Sequence, residues 1–551
     1  MGRCAVPVAA QPGTARPHRT RRSGFRADAP GMRAATARGR VCAAHPPLAQ
    51  RHAQPHWRAA HAAGPVTRAQ RCAVDHAGRP TCIDTPEPKF MPANDDPCTD
   101  RPDDYLDTLS RFAAGVEFAA LAPPAREQTL WILADTIAAI AAGSAEPELR
   151  ALAAMQGEGG AATLIGLGRG AGADAAALVN GCAGTFLEMD EGNRFSRGHP
   201  AVHVIPAALA LCEQRQAPAA LFLSALVTGY EVGSRLGAAS RLRAAMHPHG
   251  TWGTIGAAAA CARIAGLQPH AMRECINIGA SLSTATSKQT MLEGGLVRNV
   301  YAGLSNRSGL LALQLTDSGF TGERDGPASL FGKIVSEHFD TAEVLRGLGQ
   351  TWHLMQNYFK LHSCCRFNHG TLDAIDAIAA LTALPRPEQI AHIAVSSYAM
   401  AAELSDPAPR NTLAAKFSLP FAVATRLVNG SSAMASFSWD AVRDPAVLAL
   451  AQKVRVQEDP AMTARLPLER PARVVITLRD GGTLVGEAGV NRGDDASPYT
   501  RDELRGKFMN LTGRVWSAAH AEQLLGATLA LGDPGASLAQ WSALLRRLPL
   551  T

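Results

Sequence analysis

From Tyr105 to about residue 350 the apolar positions recur at helical spacing, and alanine and glycine fill most of them. The stretch "APAALFLSALVTGYEVGSRLGAAS" repeats its apolar residues at Phe222, Leu226, Tyr230 and Gly233, and "GTIGAAAACARIAGL" continues in the same manner to a glycine stop. With 50 glycines and only 5% aromatic residues, the chain can fill a core only by bringing helices close together through small side chains. "LDTLSRFAAGVEFAALAPPAREQTLWILADTIAAIAAG" predicts two helices split at Pro123-Pro124, since proline breaks one helix and opens the next. Its most apolar part, "LWILADTIAAIAAG", is too short to span a bilayer and carries Asp135, so it reads as a core helix.

Beyond residue 350 the pattern changes. "QIAHIAVSSY", "KVRVQ" and "ARVVITLRDGGTLVGEAG" are β-branched with partial alternation, and Asp480-Gly481-Gly482 between two such runs signals a hairpin. Helical spacing returns at "SPYTRDELRGKFMNL" and lasts to the end. The expected fold is mainly α, a large all-helical domain with an inserted smaller α+β domain. The helical domain takes residues 99–355 and 498–551, and the insert residues 356–497.

Residues 1–89 hold fourteen Arg and one Lys against four acids, so +11 of charge sits there and the rest of the chain carries −5 of the net +6. The first 98 residues are therefore expected to form a disordered basic leader, either a targeting segment or an extension upstream of Met91. A mildly acidic body gives no footprint for nucleic acid. Eleven cysteines without paired CxxC motifs fit reduced thiols and a cytoplasmic setting. "LIGLGRGAGADAAALVNG" resembles a glycine-rich nucleotide loop, but no strand–helix alternation surrounds it, and dinucleotide binding is set aside.

Four polar clusters interrupt the apolar helices. The first, "FLEMDEGNRFSRGHPAVH", offers Asp190, Glu191, Asn193, Arg194, Arg197, His199 and His203. The second is His247-Pro248-His249, the third contains Arg298 and Tyr301, and the fourth contains Lys360, His362, Arg366 and His369. Arginine and lysine clamp carboxylates, and a histidine oriented by an acid moves protons near neutral pH. The His247–His249 pair lacks a defined third ligand, so no metal is assigned. No activated serine and no phosphate loop are present. The inventory describes proton abstraction beside a carboxylate, the chemistry of a lyase, decarboxylase or epimerase.

These segments occur in an order that resembles the MmgE/PrpD family: "LEMDE…GHP", then "HPHGTWGTIGAAAACARIAGL", "VRNVYAGLSNRSGLLALQLTDSGFTGE", "KLHSCCRFNHGTLDAIDAI" and "AKFSLPFAVATRLVNG". The resemblance covers about residues 105–550. It implies a helical domain with an α+β lid, usually a homodimer, and a metal-free, cofactor-independent site between the two. Known activities of the family are 2-methylcitrate dehydration, cis-aconitate decarboxylation and iminodisuccinate epimerisation. Carried over by motif, Asp190, His199, His247 and Lys360 are expected to be catalytic. Arg194, His249, Arg298, Tyr301, Cys365, Arg366 and His369 are expected to bind a small di- or tricarboxylate. Arg298 and Tyr301 replace the lysine and histidine common in the family, and an always-charged arginine suits a clamp better than a proton shuttle. Dehydration is the first expectation, with epimerisation or decarboxylation next; a non-catalytic carboxylate-binding member is the contrasting reading.

Overall fold

The computed structural model describes residues 72–74, 80–82, 104–157 and 159–550. The chain divides into two compact units, Met1–Pro97 and Cys98–Thr551. In the first, strand Cys72–Val74 pairs antiparallel with Pro80–Cys82. The disordered leader expected there otherwise lies outside the described residues.

The second unit is mainly helical. Helices Tyr105–Gly115 and Pro123–Ser144 are separated at the proline pair, with proline at the start of the second, where a missing N–H costs nothing. Helix Trp252–Ala265 lies at the centre, packed by Ala219–Ala239, Val300–Asp317, Pro200–Arg215 and Pro269–Ser281. It ends at Gly266 with φ 70°, the left-handed stop the sequence predicts. The small residues do the packing. A Cβ on Gly229 would sit 2.6 Å from the Gly256 carbonyl oxygen, so the helices Ala219–Ala239 and Trp252–Ala265 cross backbone to backbone. Helices Ala173–Phe186 and Val300–Asp317 meet in the same way at Gly181 and Gly303.

Helix Pro200–Arg215 contains Pro206, which cannot donate to the Val202 carbonyl one turn earlier. Asn306 supplies the missing donor: its Nδ2 lies 2.9 Å from Val202 O, while its Oδ1 accepts from Ala207 N–H at 2.9 Å. The helix that opens at His199 is thereby fastened to Val300–Asp317.

The β-branched segments form a four-stranded sheet in the order Val454–Glu458, Ile390–Ser397, Ala472–Leu478, Thr483–Ala488. The first pair is parallel and the others are antiparallel. The hairpin turns at Asp480–Gly482, with Gly481 at φ 90°. Val474 and Ile476 on the central strand are fully buried, and helix His369–Leu381 packs over it. Buried apolar side chains fall into two clusters. One joins the helices of residues 105–354 to those of the C-terminal stretch, and the other surrounds this sheet.

The expectation of an all-helical first part is corrected by three short ladders. Ala162–Leu164 pairs with Arg169–Ala171, Ser240–Leu242 with Ser336–Phe339, and Gly192–Asn193 with Asn357–Tyr358. Strands of two to four residues carry no periodic signal and exist because tertiary packing aligns them. The first explains the glycine-rich decoy as an antiparallel hairpin leading into helix Ala173–Phe186. No helix among the described residues is long and apolar enough to cross a membrane.

Candidate active site

The crowded stretch begins where helix Ala173–Phe186 stops. Glu188 has φ 55°, an uncommon left-handed conformation for a residue with a Cβ, and turns the chain so that Asp190 points inward with 1% exposure. Gly192 and Asn193 then pair with Tyr358 and Asn357, which brings Lys360 alongside Asp190. Asn193 closes the following loop: its Oδ1 accepts from the N–H groups of Phe195 and Ser196, and its backbone exchanges hydrogen bonds with Gly198. The next residue is His199, at the mouth of helix Pro200–Arg215.

These contacts make a chain of charge. Lys360 Nζ is 3.5 Å from Asp190 Oδ1 and 3.6 Å from Glu188 Oε2, and the lysine is fully buried. Asp190 Oδ2 lies 3.1 Å from His199 Nδ1, which also contacts the Glu191 carbonyl at 2.6 Å. Two acceptors at Nδ1 fix the hydrogen there and leave Nε2 as the nitrogen that gains or loses a proton. Burial opposes ionisation of Asp190, but the charges of His199 and Lys360 outweigh it and hold the carboxyl well below its usual range. Burial likewise opposes a charge on Lys360, and Asp190 and Glu188 reverse that, raising it above an ordinary lysine.

His247 enters from the loop before helix Trp252–Ala265. Thr286 straps this loop by donating its hydroxyl to the carbonyls of His247 and His249, at 2.9 and 2.6 Å. The His249 amide donates to His247 Nδ1 at 3.1 Å, and Arg298 Nε donates to His247 Nε2 at 3.4 Å, so both ring nitrogens face N–H donors. Burial and the Arg298 charge push the His247 imidazole well below its ordinary value, which keeps it neutral. His249 is also held neutral by burial, and its two ring nitrogens have no partner in the protein. Its ring meets those of His199, His203 and His247 edge-on at 4.6–5.0 Å. A buried ring with both nitrogens free is ready for a polar ligand.

The structure thus brings Asp190, His199, His247, His249, Arg298 and Lys360 into one buried cluster. Arg194 and Arg366 meet elsewhere, on Asp494: Arg366 Nη2 is 2.8 Å from it, and Arg194 is 3.7 Å from it and 2.9 Å from Asp495. Arg366 also contacts His369 Nδ1 at 2.8 Å, and burial with the Arg366 charge keeps that ring neutral. Tyr301 donates to the Thr290 hydroxyl at 3.2 Å, with its ring 5.9 Å from that of His247. Burial pushes the Cys365 thiol up to about 11, so it remains a thiol. His362 lies close to Asp373 and Asp376, but Asp376 is engaged by Arg426 at 2.8 Å.

Sequence reasoning missed Glu188, the partner of both Arg298 and Lys360. Its only local signal is its place in "LEMDE", because the partners lie over a hundred residues away.

The family model of the MmgE/PrpD N-terminal domain matches residues 107–335, and that of the C-terminal domain matches residues 362–531. The chain belongs to the MmgE/PrpD family. This MmgE/PrpD member is 25% identical over 436 residues to cis-aconitate decarboxylase of Aspergillus terreus, covering 74% of this chain and 88% of that protein. It is 25% identical over 419 residues to a cis-aconitate decarboxylase-like protein of Aspergillus oryzae, covering 70% and 85%. With the cis-aconitate decarboxylase of Mus musculus it shares 26% identity over 381 residues, covering 65% and 75%. The chain is an enzyme of the MmgE/PrpD type; Asp190, His199, His247, His249 and Arg298 lie in the first match, and Lys360 falls just before the second.

Proposed function

We propose that this chain is a cofactor-independent lyase that removes carbon dioxide from an unsaturated tricarboxylate of the cis-aconitate kind. The observation that carries this reading is the Asp190–His199 contact beside two buried cations, Lys360 and Arg298. Decarboxylation breaks a carbon–carbon bond and leaves its electron pair spread over the double bond and the remaining carboxylates. Lys360 and Arg298 stabilise that developing charge, more strongly in a water-poor site than in solvent. The carbon then takes a proton from His199 Nε2, and solvent restores it. Asp190 stabilises the imidazolium form and fixes the ring. The free ring nitrogens of His249 hold a polar group of the substrate, beside neutral His247 and Arg298.

Dehydration is the first expectation from the sequence; the names of the relatives favour decarboxylation. Lys360 and its neighbours up to His369 come from the segment assigned to the lid, which supports closure of residues 356–497 over the helical part. A panel in deuterated water tests the reading: cis-aconitate, citrate and 2-methylcitrate are each incubated with the purified chain. Carbon dioxide from cis-aconitate, with one deuterium placed on the product carbon, is expected. Loss of water from 2-methylcitrate without carbon dioxide from cis-aconitate would replace the proposal with a dehydratase.

A further inference from the structure

Three successive backbone carbonyls in the turn before Asp190 are each taken by a side chain from a remote part of the chain. Ser363 Oγ donates to Leu187 O at 2.7 Å, Lys360 Nζ to Glu188 O at 3.2 Å, and Lys507 Nζ to Met189 O at 2.6 Å. Within this turn Glu188 keeps its left-handed φ of 55°. Such a conformation persists only where its surroundings hold it.

Ser363 and Lys360 belong to the segment that already supplies the site. Lys507 does not. It stands on helix Arg501–Thr512, and its other bond runs to Asp135 Oδ1 at 2.5 Å, on helix Pro123–Ser144. Lys507 and Asp135 are 5% and 6% exposed, among apolar neighbours such as Trp131, Phe359 and Phe508. A buried ion pair of this kind is often no more stabilising than apolar side chains of the same volume. Its geometry has a more direct consequence. The Met189 carbonyl belongs to the peptide that leads into Asp190, so the direction of that carbonyl sets where the Asp190 carboxylate stands.

We propose that Lys507, oriented by Asp135, is a positioning residue: by holding the Met189 carbonyl it keeps Asp190 within reach of both Lys360 and His199. The distances it protects are the 3.5 Å from Asp190 to Lys360 and the 3.1 Å from Asp190 to His199. A shift of about 1 Å in a reacting group can lower turnover by about 100-fold. The consequence for turnover rests on the function proposed above; the consequence for geometry does not.

The test is the double variant Asp135→Leu/Lys507→Met, which exchanges the buried pair for apolar side chains and so separates stability from position. Melting temperature, turnover of cis-aconitate and the crystal structure are compared with the wild type. A melting temperature close to that of the wild type is expected, with kcat lower by about 10- to 100-fold and KM changed less than about threefold. The Met189 carbonyl should be turned away, and Glu188 should leave the left-handed region. Unchanged kcat with an unchanged turn would overturn the proposal, as would a lowered melting temperature with the Asp190 contacts intact. Should the double variant not fold, Lys507→Gln is measured in the same three ways, and the same results support or overturn the proposal. If the wild type turns over no cis-aconitate, the functional reading fails, and the turn geometry in the variant structure still decides the positioning role.

Discussion

Arg298 Nη1 and Glu188 Oε1 stand 2.5 Å apart, each side chain 2% exposed. The arginine expected to clamp a substrate carboxylate is therefore already paired with a carboxylate of the protein. Glu293, the acid nearest to it in the sequence, instead accepts from Gln289. Glu188 also faces Lys360 at 3.6 Å, and Lys360 faces Asp190 at 3.5 Å, so two cations and two acids form one buried network.

Replacing Arg298 consequently affects both the fold and binding. Arg298→Met leaves Glu188 with Lys360 alone, and breaking one side of a buried pair costs about 3–5 kcal/mol. Arg298→Lys keeps the charge and loses the planar fork, for about 1.5–3 kcal/mol. Thermal melts with and without cis-aconitate should show a lower melting temperature for both variants and a smaller ligand-induced rise. A wild-type melting temperature in Arg298→Met would show that the pair does not support the fold.

Asp190→Asn should lower kcat by about 100-fold or more, because His199 loses the carboxylate that stabilises its charged form. Asp190 is held well below the usual carboxylate range, since His199 and Lys360 outweigh burial. The acid limb of the pH–rate profile should therefore not report Asp190. A profile that loses activity with the midpoint of an ordinary aspartate would contradict this.

Stability should be greatest between about pH 4.5 and 6.5 and fall on either side. Burial pushes Glu191 up to about 8, with the Asp135 and Asp190 charges adding to it, while the Ala201 amide and Tyr230 hydroxyl oppose the shift. A carboxyl raised in the folded state contributes stability that is full below its unfolded value, about 4.5, and is lost as pH rises through 8. Burial lowers His203 to about 4, so its contribution is full above the ordinary histidine value and lost as pH falls through 4. Urea unfolding across this range should show a maximum between the two, and Glu191→Gln should flatten the alkaline side. An unaltered alkaline side in that variant would locate the loss elsewhere.

The parts of this fold legible in the sequence are those written locally. Pro123-Pro124, the Gly266 stop and the Asp480–Gly482 hairpin each act within a few residues. The histidines and Asp190 are legible as candidates because polar residues interrupt apolar helices. Their partners are not. Lys507 meets Asp135 across 372 residues, Lys360 meets Asp190 across 170, and Arg366 meets Asp494 across 128. No local period encodes such pairings. The short ladder of Gly192–Asn193 with Asn357–Tyr358, which brings Lys360 to the site, is invisible for the same reason.

Cys364 and Cys365 are buried, and burial raises both thiols, Cys365 to about 11. Thiolates are the reactive form, so neither should be alkylated by iodoacetamide in the native protein near neutral pH. Mass spectrometry should find both modified only after unfolding. Rapid native labelling with loss of activity would show an exposed, activated thiol at the site.

In the proposed reaction His199, held by Asp190 beside Lys360, returns a proton to carbon after carbon dioxide departs. This is tested most directly by following carbon dioxide release and product deuteration from cis-aconitate in deuterated water, with the wild type and His199→Gln side by side. One deuterium per carbon dioxide is expected in the wild type, and a loss of turnover of about 100-fold or more in the variant. Equal rates of carbon dioxide release from the two proteins would show that His199 is not the proton donor.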